Sequence, residues 1–170
     1  MARASSPPLT TISEALELTS AHLLRPMLGL LPDAPPPPRR KADMMAEVEG
    51  RLFGDSLRAL WDRLDETQQL AVREALDNPY GFFDQHHFEL KYGRLPSPFS
   101  EATEPIGDTT ELNASLLHFF LYAQRRRFTL PTIVPLELLH RLRAFVPPPP
   151  PEAEVPAAAD LPEGVPLTRR

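Results

Sequence analysis

Proline placement constrains this chain more than any other feature. The sequence holds 22 prolines in 170 residues, and they gather at residues 32–38 and 147–166. A proline has no backbone N–H and fixes φ near −65°, so neither run can continue a helix or sit inside a sheet. The stretches PDAPPPP and PPPPP are therefore loop or polyproline II, and folded elements must lie between them. The chain divides accordingly into a first helical region (1–53), a helical body (54–146) and a proline-rich disordered linker or tail (147–170). Past residue 147, alanine, proline and acids dominate, which bury too little apolar surface to offset the ordering of the backbone.

Between the proline runs the apolar period is helical. Thr11 followed by Glu14 is a capping-box spacing that starts a short helix at Ile12, and Thr19 is placed to cap the next, from His22 to Leu31, with Pro26 expected to kink it or split off its first turn. From Arg39, the residues Ala42, Met45, Val48 and Leu52 line one buried stripe until Gly54 stops it. Asp55 is placed to cap a helix bearing Leu57, Leu60, Trp61 and Leu64, with Trp61 as the central core residue. Asp65 with Gln68 repeats the capping box, and Asn78-Pro79 ends that helix.

Phe83 before Asp84 and Phe88 four residues into the next helix form a hydrophobic staple, and Gly93 terminates. The stretch 94–107 reads as a long irregular connection. Asp108 and Glu111 open a long apolar helix through Leu112, Leu116, Leu117, Phe120, Leu121 and Ala123. RRRFTLPTIV has the β-branched and aromatic content of a short wing near residues 127–134, confined to an edge by Pro131. Pro135 suits a first helical turn, and Leu138, Leu139, Leu142 and Phe145 complete the last helix. The fold class expected is mostly α, a compact multi-helix body.

Composition narrows the function. With no cysteine, a disulfide framework and thiolate metal sites are excluded, which fits a reducing compartment and predicts a cytoplasmic protein. No stretch is apolar for long enough to serve as a signal peptide or membrane anchor, so no membrane partner is expected. Net charge is −5, which gives no long-range attraction to phosphate. The charge is nevertheless polarised: residues 64–117 carry ten acids against three bases, and residues 118–146 carry five arginines against one acid.

Catalytic patterns are missing. His86 and His87 stand beside Asp84 and Glu89, but adjacent helical side chains diverge by about 100° and no i, i+4 histidine pair exists, so they read as solvated surface. Neither a GxSxG elbow nor a glycine-rich phosphate cradle appears, and most carboxylates sit at cap positions where the helix dipole accounts for them. A non-enzyme without cofactor or metal is expected.

One charge cluster resists that explanation. Arg39, Arg40 and Lys41 stand at a helix start, where cations oppose the macrodipole. A phosphate ligand would reverse the sign, since first-turn N–H groups and flanking cations then act on one anion. The plainer reading is a solubilising charge run beside a loop. Arg125, Arg126 and Arg127 form a second cluster ahead of the expected wing.

The order HLLRPMLGLLP, a turn, then RRKADMMAEVEGRL resembles the SAP helix-extended loop-helix module, over about residues 19–53. The loop here is longer by PDAPPPP, and no glycine stands directly before the basic pair. The resemblance implies DNA binding, with Arg40, Lys41 and Arg39 as phosphate contacts and Leu24, Leu28, Met45, Val48 and Leu52 as core. FDQHHFELKYGRLP with FTLPTIVPLELLHRLRAFVPPPPP is similar to N-terminal regions of bacterial proteins of XPB-type helicase-associated architecture, which implies a winged-helix-like accessory module. No ATPase motif is present.

The leading expectation is a non-catalytic DNA-binding or DNA-associated module contacting phosphate through Arg39, Arg40, Lys41, Arg125, Arg126 and Arg127. The rival is a protein-interaction or scaffold module, the N-terminal part of a larger protein, which presents leucine-rich surface and polyproline to a protein partner or to its own downstream domains. The proline runs serve as spacer in the first reading and as ligand in the second.

Overall fold

The computed structural model describes residues 8–34, 36–99, 114–123 and 132–151. Among them are seven α-helices and one 3₁₀ turn: α1 (Ile12–Leu18), α2 (Ala21–Gly29), α3 (Lys41–Phe53), α4 (Ser56–Arg63), α5 (Glu66–Asp77), α6 (Gln85–Tyr92), the 3₁₀ turn (Leu116–Phe119) and α7 (Leu136–Arg143). The chain is mostly helical, as its apolar period requires.

The caps decide where these helices begin. Thr11 and Glu14 close a full capping box on α1, and Asp65 and Gln68 do so on α5. The Asp84 carboxylate accepts the His87 N–H at 2.9 Å, and the Phe83 and Phe88 rings meet at 5.3 Å between centroids, which is the expected staple. Gly93, at φ 70°, ends α6 with its N–H on the Glu89 carbonyl.

Four local expectations are corrected. Ser20, not Thr19, caps α2, because the Thr19 hydroxyl instead donates to the Ala15 carbonyl at 2.9 Å and is buried there. Pro26 lies inside an unbroken α2; the carbonyl it leaves without a helical donor belongs to His22, an exposed residue that water can reach. The buried stripe of α3 runs through Met44, Val48 and Leu52, with Met45 only partly covered and Ala42 exposed. Asp55 holds the N-cap position of α4 in an αR conformation and makes no side-chain cap bond.

The larger correction concerns residues 112–123. Residues 112 and 113 lie outside the described residues. From Ser115 onward the chain makes a single 3₁₀ turn, capped by the Ser115 hydroxyl, and then leaves helical geometry. Leu117 to Tyr122 are all buried, so this segment crosses the core, with His118 bonded to Ser115 as its one polar side chain besides the Tyr122 hydroxyl. A mostly apolar run of this kind has no clear period by which helix and extended chain can be told apart.

Tyr122 exchanges backbone hydrogen bonds with Ile133 at 2.8 and 3.1 Å. Ile133 also forms a bridge to Phe82 on its other side, while the Val134 N–H donates to the Gly81 carbonyl at 2.9 Å. The segment 132–134 is thus enclosed between two chain segments and is not an edge wing; residues 127–131 of the expected wing lie outside the described residues. Enclosure suits Ile133 and Val134, both fully buried.

The first turn of α7 is tied to the start of α1. The Leu136 and Glu137 N–H groups donate to the Leu9 and Thr10 carbonyls at 3.0 Å each, and the Glu137 carboxylate accepts the Ile12 N–H at 3.0 Å. Each helix start thereby satisfies orphan donors of the other. One hydrophobic cluster runs from Leu9 to Val146 and includes Trp61, whose ring meets Phe120 edge-on at 6.3 Å, so the described residues before and after Gly54 share a core.

Two glycines give opposite expectations. Gly81 has φ 76°, and a Cβ there would run into the Val134 carbonyl oxygen, whereas Gly50 lies inside α3 with open space around it. Gly81→Ala should destabilise by at least about 2 kcal/mol, and Gly50→Ala should stabilise by about 0.5–1 kcal/mol. Urea unfolding midpoints of the two variants check this.

Candidate nucleic-acid interface

Arg40 is the N-cap of α3, yet its side chain makes no cap bond. Arg39 and Arg40 are exposed, and neither has an ion pair, hydrogen bond or ring contact among the described residues. Lys41 behaves differently. It is half-buried, and its ammonium donates to the Glu17 carbonyl at 2.7 Å, at the last turn of α1. Asp43, the acid of the α3 first turn, is exposed close by. Arg125, Arg126 and Arg127 lie outside the described residues.

The isolation of Arg39 and Arg40 stands out because most other described arginines are engaged. Arg51 pairs with Glu47 at 3.2 Å, Arg58 lies over the Phe145 ring, and Arg94 is 4.0 Å from Glu66. Arg63 donates to the Leu30 carbonyl at 2.5 Å, Arg141 to the Phe53 carbonyl at 3.1 Å while stacking on the Phe53 ring, and Arg143 to the Leu76 carbonyl at 2.6 Å. Arg73 donates to the Pro148 carbonyl. Besides Arg39 and Arg40, only Arg25 on α2 lacks such a partner among the described residues.

Arg141 and Arg143 belong to the arginine-rich segment 118–146. Both are turned onto the carbonyl ends of α3 and α5, where a cation complements the helix dipole. No local spacing announces this, since each acceptor lies at least 65 residues away in sequence.

A cleft of about 450 Å³ lies beside Lys41, lined by Ser13, Glu17, Lys41, Met45, Ala46 and Glu49 among others. Its two carboxylates make it a poor anion site. Among the described residues no group of three or more His, Asp or Glu side chains is arranged to hold a metal, and no helix is long and apolar enough to cross a membrane. His86 and His87 lie exposed on α6.

One titratable cluster is partly buried and a second is buried. Glu74 accepts from Lys91 at 2.6 Å and from the Tyr92 hydroxyl at 2.5 Å on the same oxygen, and burial, reinforced by that carboxylate, drives the Tyr92 hydroxyl well above its ordinary value. The second is His118, whose Nδ1 accepts the Ser115 N–H at 2.9 Å in a capping role. Burial holds this imidazole below its usual value, and the Ser115 backbone opposes the shift only in part. Both clusters are satisfied by structural partners, and neither contains an activated nucleophile. No family model, curated protein or solved structure matches the chain.

The His118 shift fixes a pH dependence. Its folded-state value lies below the unfolded one, near 6.5, so the unfolded chain binds more protons as pH falls through that range. The stability associated with the neutral ring is present above about pH 6.5 and is lost as pH falls toward the folded-state value. Urea midpoints at pH 7.0 and 5.5 should show a fall for the native chain that is reduced in His118→Gln; an equal fall in both would contradict the assignment.

Proposed function

We propose that this chain is a non-catalytic, DNA-associated module that contacts the phosphate backbone through Arg39 and Arg40 at the start of α3. The observation that supports this reading is selective: nearly all other described arginines are held by the fold, while these two neighbours project from a helix start that has no side-chain cap. A guanidinium presents a rigid fork of donors to a phosphate, and the free N–H groups of the first turn add to the same field. Lys41 acts mainly as a structural tie to α1, and its ammonium retains donors for an anion at the same turn.

The size of the site sets its strength. Two or three cations neutralise two or three phosphates, which gives a logarithmic salt dependence of about −2 to −3. That magnitude belongs to weak, sequence-independent binding, in keeping with a chain of net charge −5.

The alternative, a protein-interaction module, is favoured by a separate observation: residues 147–151 are bound to the body rather than held out from it. A partner retained in pull-down by the Arg40→Glu, Lys41→Glu double variant would favour this alternative.

Fluorescence anisotropy of a labelled duplex at 20 and 200 mM salt tests the DNA reading. The native chain should bind at low salt, and Arg39→Glu with Arg40→Glu should weaken binding at least tenfold with circular dichroism unchanged. No association with any duplex into the high micromolar range at low salt would sink it.

A further inference from the structure

The sequence predicts a free tail from residue 147, but its first residues are seated. The Arg73 guanidinium donates through Nε, at 3.0 Å, and through Nη2 to the Pro148 carbonyl. The Lys91 ammonium donates to the Pro150 carbonyl at 3.0 Å. Lys91 is itself aimed by Glu74, with only 9% of the lysine side chain and 14% of the glutamate exposed, and the same Glu74 oxygen also accepts the Tyr92 hydroxyl. Arg73 and Glu74 belong to α5, and Lys91 and Tyr92 to α6, so two helices supply the two donors.

This arrangement matches the chemistry of an oligoproline. Consecutive prolines have no N–H to satisfy, and their carbonyls make no bonds within the strand, so a receptor needs only donors. Carbonyls two residues apart are separated by roughly 6 Å along a polyproline II axis, and Arg73 and Lys91 meet two such carbonyls. The strand is already stiff, so little conformational entropy is lost on docking. Beside it a cleft of about 410 Å³, bordered by Leu76, Arg143, Val146 and Pro147 to Pro149, leaves further space along the same face. Both donors read main-chain carbonyls, and nothing in the contacts requires the strand to belong to this chain.

We propose that the α5–α6 face carrying Arg73, Glu74, Lys91 and Tyr92 is a receptor for oligoproline, occupied in cis by residues 147–151, and that a proline-rich segment of another protein competes for the same two donors. This deepens the protein-interaction alternative and is independent of the DNA reading. A tethered strand acts at an effective concentration of about millimolar, so the cis segment holds the site closed against dilute competitors. Binding in trans requires the arm to be displaced.

The test uses the full chain and a fluorescein-labelled hexaproline peptide read by anisotropy. Replacing residues 147–151 with Gly-Ser-Gly-Ser-Gly should give saturable binding at least tenfold tighter than that of the intact chain. Adding Arg73→Gln to that variant should weaken it at least tenfold again; Arg73 is partly exposed and its side-chain hydrogen bonds go to the arm, so the helices should persist by circular dichroism. Pro148→Gly with Pro150→Gly, which keeps both carbonyls but loosens the strand, should fall between the intact and replaced chains even if full replacement disturbs folding. The inference fails if the folded arm-replaced chain does not bind, if intact and opened chains bind equally, or if Arg73→Gln has no effect. Duplex binding through Arg39 and Arg40 should be the same in all these variants, so failure here leaves the DNA reading intact.

Discussion

The fold depends on side-chain donors from one element reaching the carbonyl end of another. Lys41 of α3 meets the Glu17 carbonyl of α1, Arg63 of α4 the Leu30 carbonyl beyond α2, and Gln69 of α5 the Trp61 carbonyl of α4. Arg141 and Arg143 of α7 do the same for α3 and α5. Helices of 7 to 13 residues are marginal alone, and each leaves carbonyls without internal partners at its last turn. A donor from a neighbour satisfies those groups, complements the dipole and fixes how the two elements meet. α6 lacks this device and ends on Gly93 instead.

This constraint changes how the charge of the chain should be read. The five arginines of residues 118–146 polarise the charge of the sequence, yet the two that are described are bonded to backbone carbonyls at the surface. Such contacts neutralise no acid, so net charge and segmental charge counts do not reveal them. What remains for an external anion is set by which cations the fold leaves alone, and at the start of α3 those are Arg39 and Arg40. The same logic, applied to Arg73 and Lys91, explains why a strand of prolines lies on the body: its carbonyls are acceptors of the kind found at a helix end.

Much of the fold was legible wherever the signal was local. The capping boxes at Thr11 and Asp65, the Phe83–Phe88 staple and the Gly93 stop each depend on residues three to nine apart, and all appear. The passage from Ser115 to Tyr122 was misread because a mostly apolar run carries no clear period, and the Tyr122–Ile133 pairing that follows its 3₁₀ turn is set by a partner eleven residues on. Met44 replaced Met45 in the α3 stripe because either choice completes a helical face with Val48 and Leu52, and packing against α1 and α2 decides between them. Of the site, exposure of Arg39 and Arg40 followed from their position after a proline loop. The tie of Lys41 to Glu17 and the seating of Pro148 and Pro150 could not be foreseen, since their partners are 24, 75 and 59 residues away.

A comparison of a cation bonded to the fold with one that has no partner among the described residues measures the central claim. Arg143→Met and Arg40→Met each keep an apolar stem and remove the donors. In urea unfolding at neutral pH, Arg143→Met should lose about 1–3 kcal/mol, because the Leu76 carbonyl loses its charged donor, while Arg40→Met should change stability by less than about 0.5 kcal/mol. Equal effects from the two substitutions would contradict the division between cations that hold the fold together and cations that it leaves free.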